Sequence, residues 1–572
     1  MSKKLIFLEN KFQAKEYLKN KSKYKNYLPI SFSFEVEKIL SEKKAFFKRD
    51  EDYEVGIYPN NLSSEAMTDT WKIIKKSNLK YRGIPVLDLF YYELYLILAN
   101  SKKYSLLFKK IIEIENPKEI VIFNSNSSLE KENIFLLAKE NYEERIRVIS
   151  YKGIPYHKVL VLVILSFASI IQKTITLLRM NVFKKKNNIF TSSGKRYFRE
   201  IINGLAKNKK NRIIDFSDKL RKSFFIGNTY AAFYEFFGRE SHHQKNFQKN
   251  FLEFKKEFKF PKDFEKGRER YIKEKLLSLL NTKSKKVLSN LEEMDFLFKK
   301  RKIKAVMLAE DGCPFSRGII FLANKFGIKS YIFQHGLMVC GIELFTSPSA
   351  YFVFGDVSKK AIEKNCSEKT KVISIGCPRY NEFEWNSAKK DKKEIVYAME
   401  ITSERVMLPD THLTRKRQKE LLKKLFKVMK KIPDYKLILK IRPKWELKEM
   451  LHLIAKSEKF ENYEIIEKTN NTKLLSEAAV VIVNNSTMGI EACLLGNPPI
   501  SLSYPNLDKS NPYKKFNGVN VVYTEKELEL EIKDKIKNPK VLSKKDLKDQ
   551  IIFDGKTNER ILDVIKKELG KN

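Results

Sequence analysis

The chain has 572 residues, 42% of them hydrophobic and 32% charged, a balance that folds into globular domains and excludes a disordered chain. Lys and Arg number 112 against 70 Asp and Glu, a formal charge of +42, which favours nucleic acid, an acidic membrane surface or phosphorylated substrates as partners. The excess is mostly lysine spread along the whole length, so compositional drift is an equal reading of its size. This length exceeds what one hydrophobic core serves, so two or three domains are expected. The five cysteines form no CxxC pair and no metal-ligand spacing, which argues against a disulfide framework and for a reducing, cytoplasmic compartment.

In chain order, the apolar run 5–8 is too short for a signal peptide and reads as a first strand. Short apolar runs then alternate with Lys-rich amphipathic helices, the pattern of parallel α/β units. Strands are predicted at 4–8, 119–123, 147–150, 189–191, 305–309, 329–333, 350–354, 394–398, 436–441, 463–466, 479–483 and 499–502. Asp50-Glu51-Asp52 spells a DxD, but no nucleotide-binding unit precedes it, and it reads as a loop. Residues 159–171 run for 13 positions without a charge, roughly 20 Å as a helix against a hydrocarbon core of ~30 Å. With Lys184-Lys185-Lys186 behind them, they suit an interfacial element on an anionic leaflet, or a buried core element. His242-His243 has no carboxylate at ligand spacing, and no metal site is assigned anywhere.

The chemistry concentrates after residue 300. Glu310-Asp311 closes the strand 305–309, and Asp311-Gly312 is equally a turn. Gln334-His335-Gly336 follows an apolar strand, and the imidazole of His335 suits a general base or a hydrogen-bond donor to leaving phosphate. Gly376-Cys377-Pro378-Arg379 follows 372–375. Lys440 and Arg442 alternate with Leu439 and Ile441, so both point to one face, where two cations neutralise a diphosphate. Strand 479–483 delivers Asn484-Asn485-Ser486-Thr487 to a helix expected over 488–495, whose N-terminus suits phosphate while Ser486 and Thr487 cap it or hydroxyl-bond the ligand. Glu491 lies too far from either cap for a capping box, so its carboxylate suits the two hydroxyls of a ribose.

Taken in this order over roughly residues 300–505, these segments resemble GT-B glycosyltransferases, particularly the bacterial ones that build capsules and surface polysaccharides, and the poly(glycerol phosphate) polymerases that use CDP-glycerol. Ser486, Thr487 and Glu491 match the family's phosphate and ribose positions, and Gly496-Asn497-Pro498-Pro499 its exit turn. The resemblance implies an α/β, GT-B-like fold: two Rossmann-like domains facing a cleft, with an extra N-terminal α/β region and a hydrophobic helical insert. The expected division is 1–150 for the N-terminal region, 151–185 for the insert, 186–350 for the acceptor-side domain and 351–572 for the donor domain with its C-terminal helix.

The implied activity moves a sugar from a nucleotide sugar to a lipid-linked or growing surface glycan on the inner face of the cell membrane. No metal and no cofactor beyond the nucleotide sugar are implied. His335 is the expected catalytic residue, with Asp311 or Glu310 in support. Lys440, Arg442, Ser486, Thr487, Glu491, Gly376, Arg379 and Gly336 form the expected donor site. Three rivals remain: a CDP-glycerol-type polyol-phosphate transferase, a sugar-nucleotide epimerase of the same fold, and a nucleic-acid-binding protein. The last lacks any recognisable binding module, and the absence of GxxxxGK and GxGxxG disfavours P-loop kinases and NAD enzymes.

Overall fold

A computed structural model describes residues 3–54, 56–125, 136–151, 187–192, 199–217, 229–233, 242–300, 303–334, 336–337, 346–364, 366–381, 383–385, 387–399, 413–442, 445–507, 510–539 and 542–570. The apolar run 159–171, the rest of the insert after Tyr151, and His335 lie outside these residues.

Among the described residues, three parallel sheets organise the fold. The N-terminal sheet contains β1 (Lys4–Leu8), β2 (Tyr27–Ser31), β3 (Lys48–Arg49), β6 (Glu119–Ser125) and β7 (Ile146–Tyr151), in the order β3-β2-β1-β6-β7. Between them, β4 (Lys80–Tyr81) and β5 (Ile84–Pro85) form a separate antiparallel hairpin. The middle sheet is built from β8 (Asn187–Ser192), β9 (Asn211–Ser217), β10 (Thr229–Phe233), β11 (Ile303–Leu308), β12 (Lys329–Phe333), β13 (Ala350–Val353) and β14 (Lys371–Ser374), ordered β10-β9-β8-β11-β12-β13-β14. The C-terminal sheet is built from β15 (Lys392–Ala398), β16 (Lys436–Lys440), β17 (Tyr463–Ile466), β18 (Ala478–Val483), β19 (Ile500–Leu502) and β20 (Asn520–Val522), ordered β17-β16-β15-β18-β19-β20.

In each sheet the order runs outward in one direction and then reverses, at β1/β6, β8/β11 and β15/β18, which is the doubly wound arrangement. The middle and C-terminal sheets are the two Rossmann-like units the sequence leads one to expect. The N-terminal sheet repeats their winding on a smaller scale. Helices cover both faces of such sheets, so the central strands are apolar on both sides. Accordingly, all of β18 except Ala479 is buried.

The cores show how these units join. One apolar cluster runs without a break from the N-terminal sheet (Leu5, Phe7, Ile122) through the long helices Tyr91–Glu115 and Glu269–Lys300 to one face of the middle sheet (Phe190, Val306, Ile332). The other face of that sheet is covered by the C-terminal helix Thr557–Gly570, whose Ile561 and Ile565 pack on Ile189, Met307 and Phe352. Two further clusters flank the C-terminal sheet, and the second also takes in Phe354 and Cys377, just past β13 and β14 of the middle sheet.

Several elements differ from the expectation. β2, β3, β9, β10, β14, β20 and the hairpin β4–β5 are not among the predicted strands. Pro29 inside β2, opposite Ile6 of β1, lacks the N–H a ladder needs and hides that strand. Asp50–Tyr53 forms a turn of 3-10 helix, with Asp50 and Glu51 buried and paired with Arg415 of the C-terminal unit. A helix spans His242–Glu257, starting at the paired histidines. Among the described residues no helix is long and apolar enough to cross a membrane.

Candidate functional site

The middle and C-terminal sheets face each other with the C-terminal ends of their strands. Gly336, just past β12, sits so close to Thr487, just past β18, that a Cβ on the glycine would lie 4.0 Å from Thr487 Cγ2. The next residue, Leu337, packs against the cluster that contains Met488 and Ile490. The cleft between the units therefore opens at the switch point of the C-terminal sheet, between β15 and β18, where doubly wound sheets bind ligands.

On the C-terminal wall, the turn after β14 and the helix after β18 meet. Arg379 Nη2 donates to Glu491 Oε1 at 3.1 Å, across 112 residues of sequence. Its guanidinium also donates to the Tyr380 hydroxyl and lies 4.7 Å from that ring's centroid. Glu491 is 7% exposed. Burial pushes its carboxyl above the ordinary carboxylate range, and the opposing pull of Arg379, Asn471 and Lys440 does not bring it back.

Lys440, at the end of β16, donates from Nζ to the carbonyls of Ile441 at 2.9 Å and Glu467 at 3.0 Å. Burial and the neighbouring charge of Arg442 lower its pKa, while Glu467 and Glu491 act in the opposite sense. Arg442 itself is exposed beyond the strand end. The structure thus groups Arg379, Glu491 and Lys440 in one electrostatic neighbourhood and leaves Arg442 toward solvent.

Ser486 and Thr487 form the turn into the seven-residue helix Met488–Leu494. The N–H groups of Gly489 and Ile490 already bond the carbonyls of Ser486 and Thr487, both at 3.1 Å, and Met488 N–H donates to Ser486 Oγ at 3.4 Å. The turn therefore presents mainly hydroxyls, and Thr487 makes no side-chain cap bond. The Tyr513 hydroxyl donates to the Ser486 carbonyl, a close approach made possible by Gly489, where a Cβ would collide with that hydroxyl. Asn484, fully buried at the end of β18, donates to the Leu502 carbonyl at 2.8 Å, while its Oδ1 has no protein partner. Tyr380, Asn471 and Tyr513 are parts of this wall that the sequence reading did not single out. Glycine after serine in Ser486-Thr487-Met488-Gly489 was the available signal for Tyr513's approach.

On the opposite wall, Gln334 holds its turn by accepting from Phe354 N–H at 2.8 Å and donating to the Gly336 carbonyl at 2.9 Å. Glu310 closes the start of the helix Pro314–Lys325: Oε2 accepts from the N–H groups of Gly312 at 2.9 Å and Cys313 at 3.1 Å, and Oε1 from Ser316 Oγ at 3.2 Å. Asp311 is buried, with Oδ2 accepting from Thr346 Oγ1 at 2.6 Å and from the Tyr351 hydroxyl. Burial raises its pKa against those two hydrogen bonds. Both carboxylates are thus engaged within their own wall. Gly376 is held at φ +92°, and a Cβ there would collide with Thr557 Oγ1 and meet the Ile552 carbonyl at 2.5 Å. It lies against the segment that leads into the C-terminal helix. Among the described residues no group of three His, Cys, Asp or Glu side chains is placed to hold a metal ion.

Residues 347–566 match the family model described as UDP-N-acetylglucosamine 2-epimerase. That segment begins at β13 and contains the whole C-terminal sheet, with Arg379, Lys440 and Glu491 inside it. No curated protein matches the chain. Among solved structures, the UDP-GlcNAc 2-epimerase of Methanocaldococcus jannaschii in complex with UDP-GlcNAc and UDP is 16% identical, with a TM-score of 0.41 over 67% of this chain and 99% of that one. The UDP-GlcNAc 2-epimerase of Neisseria meningitidis bound to UDP-GlcNAc is 13% identical, with a TM-score of 0.39 over 68% of this chain and all of that one. The wall teichoic acid polymerase TagF, as a histidine-to-asparagine variant soaked with CDPG, is 14% identical, with a TM-score of 0.38 over 71% of this chain and 98% of that one. Likenesses this distant leave substrate and reaction to the chain's own residues.

Proposed function

We propose that the chain is a nucleotide-sugar-dependent glycosyltransferase whose donor lies at the β15/β18 switch point. The observation that carries this reading is the convergence of Arg379, Lys440 and Glu491 beside the Ser486-Thr487 hydroxyls, directly across the cleft from the Gln334–Gly336 turn. In this reading the cations face the diphosphate, Ser486 and Thr487 donate to its oxygens, and Glu491 accepts from the ribose hydroxyls. Arg442 supplies a further charge at the rim. His335, between Gln334 and Gly336 in sequence, acts as general base toward an acceptor hydroxyl, or hydrogen-bonds the departing phosphate. The acceptor is a lipid-linked or growing surface glycan, bound on the side of the middle and N-terminal sheets.

The family match over 347–566 favours a second reading, a sugar-nucleotide epimerase, because it covers the whole C-terminal unit. It stops short of β8–β12, which carry the opposing wall, so it supports the nucleotide-binding half more directly than the reaction. Two measurements separate these readings. A thermal-shift screen against UDP-, CMP-, CDP- and GDP-linked donors should single out one base, since a ligand at 100 times its Kd stabilises by about 2.7 kcal/mol. Incubating that donor without acceptor should leave its sugar configuration unchanged. Conversion to an epimer under those conditions overturns the transferase reading and keeps the donor site. His335→Asn should lower kcat by about 10²–10⁴-fold with donor binding intact, and full activity in that variant removes His335 from the chemistry.

A further inference from the structure

A second cavity lies at the far end of the middle unit. The helix Pro314–Lys325 starts at the cleft, where Glu310 closes its first turn, and runs about 18 Å to its other end. There Lys325 joins Lys80, Arg82, Asn246, Asn250 and Phe247 around a cavity of about 290 Å³. Tyr81 completes the lining, its ring edge-on to Phe247 at 5.9 Å between centroids. Among the described residues, three cations and no carboxylate line this space. Lys80 and Lys325 are exposed and have no ion-pair partner among the described residues.

The β4–β5 hairpin aims this charge at some conformational cost. Tyr81 pairs with Ile84, leaving Arg82-Gly83 as a two-residue loop with φ of +52° and +85°. Both residues are in the left-handed region, as a type I′ turn demands, and the first position normally falls to Asn, Asp or Gly. A long cation there is strained. Arg82 Nη2 is anchored at 2.9 Å to Asp295, which is 4% exposed and also accepts from Lys299 at 2.8 Å. Asp295 is thus shared between two cations, and the cluster as a whole stays positive.

We propose that this cavity binds a phosphate group carried on a small polyol or sugar. A phosphoryl group brings between one and two negative charges and three acceptor oxygens, matching three converging cations. The exposed amide of Asn250 suits a hydroxyl as donor and acceptor, and Asn246 stands one turn before it on the same helix. The volume sits at the lower edge of the range that holds small ligands, which fits a phosphorylated sugar or polyol unit and not a whole nucleotide sugar. This site is separate from the donor cleft and does not rest on the reading given for it.

Isothermal titration of the full chain with inorganic phosphate and with glycerol 3-phosphate, at physiological salt, tests the proposal. Both should bind, the phosphorylated polyol more tightly. The Lys80→Gln/Lys325→Gln double variant and Arg82→Gly should each weaken binding at least tenfold. Arg82→Gly fits the turn's φ without strain, so a folded variant with lost binding assigns a ligand role to the side chain. Lys209→Gln/Lys210→Gln, an exposed pair outside the lining, should bind as wild type. Equal affinity in all variants would mean that only the overall positive field attracts the anion, and it overturns the proposal, as does a wild type that binds neither compound. Vesicles of phosphatidylglycerol and of phosphatidylcholine distinguish the source. Retention on the first alone, lost in the cavity variants, assigns the phosphate to a lipid headgroup, and no retention assigns it to a soluble phosphorylated unit.

Discussion

Folding and the proposed function pull on Glu491 in opposite directions. Burial holds its carboxyl above the ordinary carboxylate range despite Arg379, Asn471 and Lys440. A carboxyl whose folded pKa exceeds its unfolded one favours the fold below the unfolded value, and that contribution is lost as pH rises through the folded value. Near neutral pH the ionised group therefore costs stability. Glu491→Gln removes the charge while its amide oxygen still accepts from Arg379, so Tm at neutral pH should hold or rise. Nucleotide affinity should fall about tenfold or more, as loss of one charge-assisted hydrogen bond of about 1.5–3 kcal/mol implies. Wild-type nucleotide affinity should also climb with pH above the usual carboxylate range, a climb absent from the variant. Titration calorimetry across pH reads both effects, and an unchanged affinity in Glu491→Gln removes the residue from the ribose.

At the scale of elements, the joint between the two Rossmann-like units depends on the turn after β14. Gly376 has a φ of +92° and lies against Thr557 Oγ1 and the Ile552 carbonyl, while Arg560 Nη2 donates to the Ile375 carbonyl at 2.8 Å. Gly376→Ala meets both a left-handed backbone and a close contact, and a loss of order 1–3 kcal/mol is expected. Urea unfolding measures that loss, and a variant of wild-type stability would show that the joint rearranges freely. How much of this was legible in sequence depends on which contacts are local. β18 announces itself because its apolar run is bounded by polar turn residues. β9 carries Arg212 and Asp215 among its apolar residues, and β2 carries Pro29, so periodicity passes both over. The strand–turn–helix around Ser486 was legible for the same local reason. The Arg379–Glu491 pair was not, since 112 residues separate the partners and only the sheet order brings them together. Asp311 is a similar case. Its sequence setting suits equally a turn and a base that reaches the cleft, and the hydrogen bonds from Thr346 and Tyr351, supplied by a later segment, could not be read there.

At the scale of the whole molecule, the two ways the N-terminal region meets its neighbours differ in kind. It shares a continuous apolar core with the middle unit, whereas a cluster of ion pairs, with Phe34 packed beside them, joins it to the C-terminal unit. Arg415, at the start of the helix Arg415–Lys430, contacts Glu37 at 3.2 Å, Glu51 at 3.2 Å and Asp50. Lys419, one turn on, contacts Glu51 at 2.6 Å, and Lys38 reaches Glu449 at 2.6 Å. An apolar core resists separation in water, while an ionic contact exchanges its partners for solvent.

Arg415→Ala should cost about 3–5 kcal/mol, because it leaves three carboxylates, each no more than 11% exposed at the side chain, short of a cation. Arg415→Lys should recover only part, since one ammonium cannot reproduce the guanidinium fork. The pH dependence isolates the cluster. Burial alone would raise the pKa of Glu51, but Arg415, Lys419 and Arg49 outweigh it and the net shift is downward from 4.5. A depressed carboxylate stabilises fully above its unfolded pKa, and that stabilisation is lost as pH falls through the folded value. Glu115, held down to about 2 by Lys3, Lys48 and Tyr53 against the effect of its burial, loses its own contribution over the same acid range. Both wild type and Arg415→Ala carry Glu115, so it cancels in their difference. That difference should be widest at neutral pH and narrow below about 4.5. A gap that stays constant down to about pH 3 in urea unfolding would show that Arg415 acts through packing, and the ionic account of this contact would fail.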